Sequence, residues 1–241
     1  MKTARIAITV LSLLSLSVFT ACEDDFRGSI RGSGPVVEEN RSISDYHEIS
    51  LSVPATIYLQ QGPKEEVRLR AQENVLDNIE TYVRGGNLKI KFDRNVRRHE
   101  PITIYLTTPD ISSISISGSG DVIGENTIEA ESLTVHISGS GEADLAVETD
   151  ELRTHISGSG KTYYSGNAGW HNIHISGSGD VHAFDLLSHT AEVHVSGSGN
   201  SMLWVTDELD VRVSGSGDVT YKGNPHITSR ISGSGKVRPK N

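Results

Sequence analysis

The most regular feature of the chain is an alternation of apolar and polar residues that returns at fixed intervals. Leu133, Val135 and Ile137 alternate with Thr134 and His136, which is the period of two typical of a half-buried β-strand. One aliphatic residue recurs in the same phase at Ile116, Ile137, Ile156, Ile175, Val195, Val213 and Ile231. Each copy is followed directly by Ser-Gly-Ser-Gly. The pattern predicts short strands that run into a small-residue segment and then a second short strand.

The spacing of the Ser-Gly-Ser-Gly motif indicates the architecture. Successive copies begin 21, 19, 19, 20, 18 and 18 residues apart, and a fixed period of this kind is typical of repeat proteins whose units stack on one another. No repeat contains a pattern for a crossover helix, which excludes a doubly wound α/β fold, and a propeller blade needs about 40 residues. The sequence therefore predicts an all-β parallel β-helix (β-solenoid) with rungs ~4.8 Å apart.

The residues before the first motif show a weaker form of the same pattern. Residues 36–241 are predicted to form one β-helix, with degenerate rungs at 36–110 and regular rungs at 111–241. The segment Ser50–Ile57 resembles a degenerate rung, and Arg84-Gly85-Gly86-Asn87 predicts a hairpin turn. A single helical turn is expected within residues 74–79.

Residues 1–21 are predicted to be a signal peptide and not part of the fold. Lys2 and Arg5 precede an apolar stretch at residues 6–19. That stretch is too short to span a membrane comfortably, and small residues follow it, as in a secretory signal. The prediction places the protein outside the cytoplasm.

The only cysteine, Cys22, follows this signal in the sequence Val-Phe-Thr-Ala-Cys. This resembles a bacterial lipobox, so Cys22 is predicted to be lipidated and residues 22–35 to form the lipidated N-terminus and a tether. The alternative is a soluble secreted protein with an incidental cysteine. Acidic residues at 23–25 resemble the run that follows the lipidated cysteine in surface lipoproteins of the Bacteroidetes, although in other bacteria they signal inner-membrane retention. The expected location is the outer membrane or cell surface.

The charge of the chain limits its partners. The formal net charge is −9, and removal of residues 1–21, which contain two basic and no acidic residues, makes it −11. Nucleic acids and anionic lipid headgroups need clustered Lys and Arg, so neither is expected as a partner. The protein is predicted to contact the membrane through its lipid anchor.

Several segments together resemble a known family. They are Tyr46-His47-Glu48-Ile49, the strand from Val53 to Gln61, Asn87-Leu88-Lys89-Ile90 and the Ser-Gly-Ser-Gly series. They resemble the domain of unknown function 2807, also named the "putative auto-transporter adhesin head domain", which is common in Bacteroidetes lipoproteins. The resemblance runs from about Tyr46 to Val237 and implies a right-handed β-helix. The family has no established biochemical activity.

The motif itself has two interpretations. Stacked glycines form columns without side chains, which suits a tight corner of the coil, and stacked serines could hydrogen-bond along their column. The alternative is a bare face for a flat ligand such as a glycan. The candidate ligand face comprises Ser117, Ser119, Ser138, Ser140, Ser157, Ser159, Ser176, Ser178, Ser196 and Ser198.

A histidine column is the second candidate site. His136, His155, His174 and His194 each lie two residues before a motif and are expected to stack on an outward face. They form either a solvated ladder or a weak site for a soft divalent metal, and they would charge together below a pKa of ~6.5. Residues directly after the motifs, such as Asp121, suggest a calcium ladder, but the period is twice that of calcium-binding rolls and Lys161 interrupts it.

These features predict a lipid-anchored envelope protein that acts as an adhesin, binding module or scaffold without catalysis. No cofactor is expected. The alternative is a β-helix that binds or degrades polysaccharide, although no carboxylate pair of the kind such enzymes need stands out. Expected partners are a glycan or another envelope protein, and the exposed strand edges at the ends of the coil predict an end-to-end homodimer.

Overall fold

The structure is a computed structural model that describes residues 28–240. The predicted signal peptide and the predicted lipidation site at Cys22 lie outside the described residues. The first part of the fold consists of β1 (Ile30–Arg31), β2 (Val36–Asn40), β3 (Glu48–Leu51), β4 (Ala55–Gln61), β5 (Glu66–Gln72), α1 (Glu73–Leu76), β6 (Ile79–Arg84), β7 (Asn87–Phe92), β8 (Val96–Arg97) and β9 (Ile102–Thr108). The second part consists of β10 (Ser113–Gly118), β11 (Asp121–Gly124), β12 (Ile128–Gly139), β13 (Glu142–Gly158), β14 (Lys161–Gly177), β15 (Asp180–Gly197), β16 (Asn200–Gly215), β17 (Val219–Lys222), β18 (His226–Gly233) and β19 (Val237–Pro239).

The regular repeats form a parallel β-solenoid of about seven turns, as the motif spacing predicts. Strands β12 to β16 pair in parallel with equivalent residues aligned, so that Ile137, Ile156 and Ile175 form one column. The prediction of two short strands per rung differs from the structure in one respect. Each long strand continues through the bends of its rung and stops at the second Ser-Gly of the motif. Within the rungs the parallel ladder continues with local register shifts, as between Ala183 and Leu187.

The core of the solenoid is a narrow stack of aliphatic side chains. Leu133, Val135 and Ile137 are at most 1 % exposed, and the polar residues between them point outward. Burying such a side chain contributes about 1.5–3 kcal/mol. Because each of these side chains packs mainly on its counterparts in adjacent rungs, no rung is stable alone.

The N-terminal part contributes two more rungs. Strands β3 and β4 align with β10 and β11, pairing Ile49 with Ile114 and Ile57 with Val122, which confirms the degenerate rung predicted at Ser50–Ile57. Strands β7 and β9 stack in parallel on the other side of β3 and β4.

Not all of residues 36–110 forms rungs. Strand β6 pairs antiparallel with β7 through the predicted hairpin turn, in which Gly85 and Gly86 have φ of 60° and 77°. Strand β5 pairs antiparallel with β9, and β2 with β5. These strands and α1 cover the N-terminal end of the coil, because the hairpin reverses the chain direction there. The N-terminal end of the coil thus finishes in antiparallel strands, of which β2 is exposed along its whole length.

Two further features concern the ends of the described chain. Within the predicted tether, β1 pairs in parallel with β8. At the other end, β18 is exposed along its whole length, and its inward-facing residues Ile227 and Ile231 are 36 % and 42 % exposed. Their counterparts one rung earlier, Leu209 and Val213, are buried.

Candidate functional site

The glycines of the motif form the corner of each rung. The first glycine of every copy has a positive φ, between 104° and 134°, a backbone region that side chains rarely allow. A Cβ on Gly158 would overlap the carbonyl oxygen of Gly139 in the preceding rung. A Cβ on the second glycine of that copy, Gly160, would overlap the side chain of Ile137. The structural interpretation of the glycines is therefore supported, since both columns need the missing side chain.

The two serine columns of the candidate ligand face have different surroundings. The first serine of each motif lines a groove on the outer surface; these residues are Ser117, Ser138, Ser157, Ser176, Ser196, Ser214 and Ser232. The second serine of the regular copies lies outside the groove, and its backbone N–H donates to the first glycine of the preceding copy, as Ser159 does to Gly139 at 2.8 Å. Only half of the predicted serine face thus belongs to the groove.

The serine hydroxyls are not linked to one another. Among residues 28–240, no hydrogen bond joins a motif serine hydroxyl to any other side chain or to the backbone, so the predicted ladder of stacked serines is not present. The first-column hydroxyls are exposed and keep both donor and acceptor capacity for a ligand or water.

The histidines form the continuous column that the sequence predicts. The rings of His136, His155, His174 and His194 stack with centroid separations of 4.6, 5.2 and 4.7 Å and interplanar angles of 12°, 23° and 11°. Ser115 precedes this column, and Arg212 and Arg230 continue it. The column is a direct result of the parallel register, which places equivalent positions of successive rungs side by side.

The histidine and serine columns together line one long groove on the outer surface. It has a volume of ≈ 780 Å³ and extends across seven rungs. Between the two columns lie the aliphatic residues that precede each motif, such as Ile156, and all of them except Ile231 are buried. Their side chains point into the core, so they contribute backbone to the groove. Its lining contains two arginines and four histidines but no aspartate or glutamate.

The central imidazoles are less readily protonated than a free histidine. Burial lowers the pKa of His155 below 6.5, and the imidazoles of His136 and His174 lower it further. Burial also lowers the pKa of His174, followed by the effect of His194, while Glu192 opposes the shift. The middle of the column is therefore mostly neutral at neutral pH.

The C-terminal end of the histidine column contacts a charged cluster. Nε2 of His194 lies 2.9 Å from Oε1 of Glu192 and 2.8 Å from Nη1 of Arg212. One nitrogen cannot donate to the carboxylate and accept from the guanidinium at the same time. Protonation of Nε2 therefore selects the bond to Glu192 and ends the bond from Arg212, which keeps its contacts with Glu192 and Asp210.

The stacked rings do not favour the metal interpretation. Within the described residues, no group of three or more His, Cys, Asp or Glu side chains is arranged to hold a metal ion. The lone pair of an imidazole nitrogen lies in the ring plane, and the planes here are nearly parallel, so lone pairs of neighbouring rings do not converge on one ion. We do not propose a metal site.

The acidic residues after the motifs have a structural role that sequence reasoning missed. The carboxylate of Asp121 accepts the backbone N–H of Glu142 at 3.1 Å, and that of Asp218 accepts the N–H of Lys236 at 2.9 Å. Asp180 does the same for Asn200. These side chains satisfy backbone groups where the ladder is interrupted, and the recurrence of Asp or Asn directly after the motif was the available signal.

A second missed feature is a buried polar cluster. His171 points into the core, where its Nε2 lies 3.1 Å from the hydroxyl of Thr154, which itself donates to the hydroxyl of Tyr164 at 3.1 Å. Burial lowers the pKa of His171 to about 3, so the imidazole is neutral. The sequence could have indicated this burial, because His171 occupies the repeat position that Leu152 and Ala191 fill in the adjacent rungs, and both of those residues are buried.

A second groove has the opposite charge. It has a volume of ≈ 600 Å³ and is lined by five acidic residues, together with His47, Ser112 and Ser132. The acidic residues are Asp110, Glu129, Glu131, Asp150 and Glu151.

Within residues 28–240, the structure contains no helix with the length and apolar character needed to cross a bilayer.

Comparison with known proteins gives one family and several similar structures. A sequence model described as "Putative auto-transporter adhesin, head GIN domain" matches residues 45–225. A structure described as a "putative adhesin" from Bacteroides fragilis NCTC 9343 aligns with a TM-score of 0.83 and 24 % identity, over 87 % of this chain and 99 % of that one. One described as a "putative lipid binding protein" from Parabacteroides distasonis ATCC 8503 has a TM-score of 0.75 and 25 % identity, over 88 % and 100 %.

A further structure confirms that the fold persists at lower identity. It is described as a "putative adhesin" from Parabacteroides merdae ATCC 43184 and has a TM-score of 0.73 and 18 % identity, over 89 % of this chain and 100 % of that one. No curated protein matches the chain.

Proposed function

The chain belongs to the family described as "Putative auto-transporter adhesin, head GIN domain", and from that premise we propose that it is a lipid-anchored binding module of the cell surface that works without catalysis. The family description and the similar structures described as adhesins support a role in attachment. The lipobox-like sequence that ends at Cys22 supports the anchor. The ligand is held in the groove between the histidine column and the first serine column.

The observation on which this proposal depends is the continuity of the groove. Its lining contains one motif serine in each of seven rungs and an imidazole ring in four of them, over about 29 Å from first to last at ~4.8 Å per rung. A compact molecule would occupy only part of such a surface, whereas an extended polymer presents repeated groups to repeated side chains. Free serine hydroxyls suit the hydroxyl groups of a glycan, which makes an extended polysaccharide the ligand class that the groove fits.

The composition of the groove favours binding over hydrolysis. Glycoside hydrolases use two carboxylates that flank the scissile bond, and the lining of this groove contains none. The carboxylates of the second groove are spread over an open acidic surface. Polysaccharide binding is therefore the stronger form of the alternative drawn from the sequence.

A blocking substitution tests the groove. Ser157→Trp places a large side chain in its middle, and Ser159→Trp, two residues along the same motif but outside the groove, is the matched control. Both variants should give the circular dichroism spectrum of the unmodified protein. We expect glycan-array binding, and attachment of protein-coated beads to polysaccharide surfaces, to be lost with Ser157→Trp and kept with Ser159→Trp. Equal behaviour of the two variants, or no binding by the unmodified protein, contradicts the proposal.

A further inference from the structure

The charge of the main groove differs in sign from that of the whole protein. The chain has a net charge of −9. The ionisable side chains that line this groove are nevertheless four histidines and two arginines, with no carboxylate among them. The second groove has five carboxylates. Such segregation creates a local positive potential that attracts anions and repels cations. The main groove is thus the part of the described surface suited to a negatively charged ligand.

The cationic groups are arranged in a line with one group per rung. Four imidazoles and two guanidinium groups follow one another at the rung spacing of ~4.8 Å. A single small anion would contact one or two of them. A polymer with an acidic group on successive units would contact the whole column, while its hydroxyls face the parallel column of serines.

The state of the column depends on pH. At neutral pH the pKa shifts of His155 and His174 keep these imidazoles mostly neutral. The positive charge of the groove then comes mainly from Arg230 and from Arg212, which is paired with Glu192 and Asp210. An anion beside the column offsets the repulsion between neighbouring imidazolium groups and favours protonation. Binding and protonation are therefore linked, and each strengthens the other.

Other charged and polar side chains face the histidine column and influence its protonation. The groups that face it from its own and adjacent rungs are Ser115, Arg153, Asn172, Glu192, Asp210 and Arg212. Arg153 is paired with Glu151 and disfavours protonation of His155, whereas Glu192 favours protonation of His174. Nδ1 of His174 donates to Asn172 at 2.8 Å, which leaves its Nε2 to take up the additional proton.

From this geometry we propose that the groove binds an acidic polysaccharide along the histidine and arginine column, and that proton uptake by His155 and His174 tightens the binding as the pH falls. This inference rests on the proposed function, since it names the ligand class and the regulation of the same groove. The protein would hold an acidic glycan firmly in mildly acidic surroundings and release it at higher pH.

Calorimetric titration with two matched probes tests this. Dextran sulfate oligomers stay ionised between about pH 5 and pH 8, so any pH dependence belongs to the protein, and unmodified dextran of the same length is the neutral comparator. We expect the sulfated probe alone to bind, with an affinity that rises about tenfold per pH unit for each proton taken up. Added salt should weaken it, and the heat should vary with buffer ionisation enthalpy because protons are absorbed.

Histidine variants identify the residues responsible. The double variant His155→Gln, His174→Gln should remove most of the pH dependence while keeping weaker binding through Arg212 and Arg230. His182→Gln is the control, because His182 stacks on Tyr163 at 4.6 Å and does not line the groove. An unchanged pH profile in the double variant overturns the inference.

The two proposals fail in different ways. Binding of neutral dextran as tight as that of the sulfated probe, blocked by Ser157→Trp, overturns the acidic ligand class but leaves the groove as a glycan-binding site. Absence of sulfated-probe binding at every pH also overturns the inference. If, in addition, Ser157→Trp has no effect on the glycan array or bead attachment, the proposed function fails as well.

Discussion

At the scale of single residues, the corner of each rung depends on the absence of a side chain. Gly158 has φ of 123°, and a Cβ there would overlap the carbonyl oxygen of Gly139. The backbone cannot move aside without breaking the ladder to the next rung. We expect Gly158→Ala to lower the free energy of unfolding by about 2 kcal/mol or more, measured by urea denaturation. Ser159→Ala, at the next and exposed position, should change it by less than about 0.5 kcal/mol. Equal effects would contradict the role assigned to the glycine.

The buried imidazole of His171 makes stability depend on pH. Burial lowers its pKa from 6.5 to about 3 in the folded protein, so between these values the unfolded chain binds the proton more tightly. The stabilisation is complete above about pH 6.5 and is lost as the pH falls towards 3. We expect a loss of about 2 kcal/mol between pH 7 and pH 5.

A variant separates this contribution from those of other histidines. His171→Leu removes the buried base, while Thr154 keeps its hydrogen bond to the hydroxyl of Tyr164, so urea midpoints should vary less between pH 7 and pH 5. His189→Leu, at an exposed position, should keep the pH dependence of the unmodified protein. If His171→Leu retains the full pH dependence, the buried imidazole is not its source.

At the scale of secondary-structure elements, one arginine fixes the N-terminal cap. The guanidinium of Arg41 donates to the carbonyl oxygens of Ile79 and Leu76 at 2.6 and 3.0 Å and to the hydroxyl of Thr81 at 2.9 Å. It thereby connects the chain after β2 to α1 and β6. Without it, two carbonyl groups lose their partners in a partly buried place.

We expect Arg41→Met to destabilise the cap by about 2 kcal/mol. In hydrogen exchange, β5 and β6 should lose protection while β13 to β15 keep it, because each rung contacts only its neighbours. Arg70→Met, at an exposed arginine 4.0 Å from Glu38, is the control and should leave exchange unchanged. Uniform loss of protection along the coil would show that the cap and rungs unfold as one unit.

The last rung bears on the predicted end-to-end homodimer. Ile227 and Ile231 are exposed there, which favours association, but residues 219–240 contain five basic and no acidic residues, which opposes pairing of two such ends. We expect the dimer fraction in light scattering to rise with salt, since salt screens the repulsion. Ile231→Asp should abolish it. A monomer at every salt and protein concentration would exclude the homodimer.

At the scale of the whole molecule, the repeats were predictable and the cap was not. Seven copies of one motif determine a period, and the period determines parallel stacking, which also places the histidines in one column. The strands of the cap carry no such period, and Glu66–Gln72 alternates in the same way whether its partner is parallel or antiparallel. The groove was only partly predictable from the sequence. Which of the two serines of a motif lines the groove depends on the positive φ of the glycine between those two serines.

The orientation of the coil follows from its two different ends. Strand β1 begins at Ile30 and lies against β8. Five residues lie between Cys22 and Gly28, and the six residue-to-residue steps span at most about 20 Å when fully extended. If Cys22 is acylated, the membrane is therefore near the capped end, and the groove leads away from it over about seven rungs. Under that condition, a glycan in the groove would lie on the side of the protein that points away from the membrane.

Replacement of Cys22 tests the anchor. Cys22→Ala removes the only thiol available for acylation, and because a lipidated N-terminus needs its acyl chains for stable membrane attachment, we expect the variant to leave the membrane fraction. Labelling with a palmitate analogue should mark the unmodified protein and not the variant. Cys22→Ser, which also lacks the thiol, should behave in the same way, while Thr20→Ser should remain anchored and labelled. Membrane retention of Cys22→Ala would contradict lipid anchoring while leaving the groove and its ligand class untouched, since both depend only on residues of the coil.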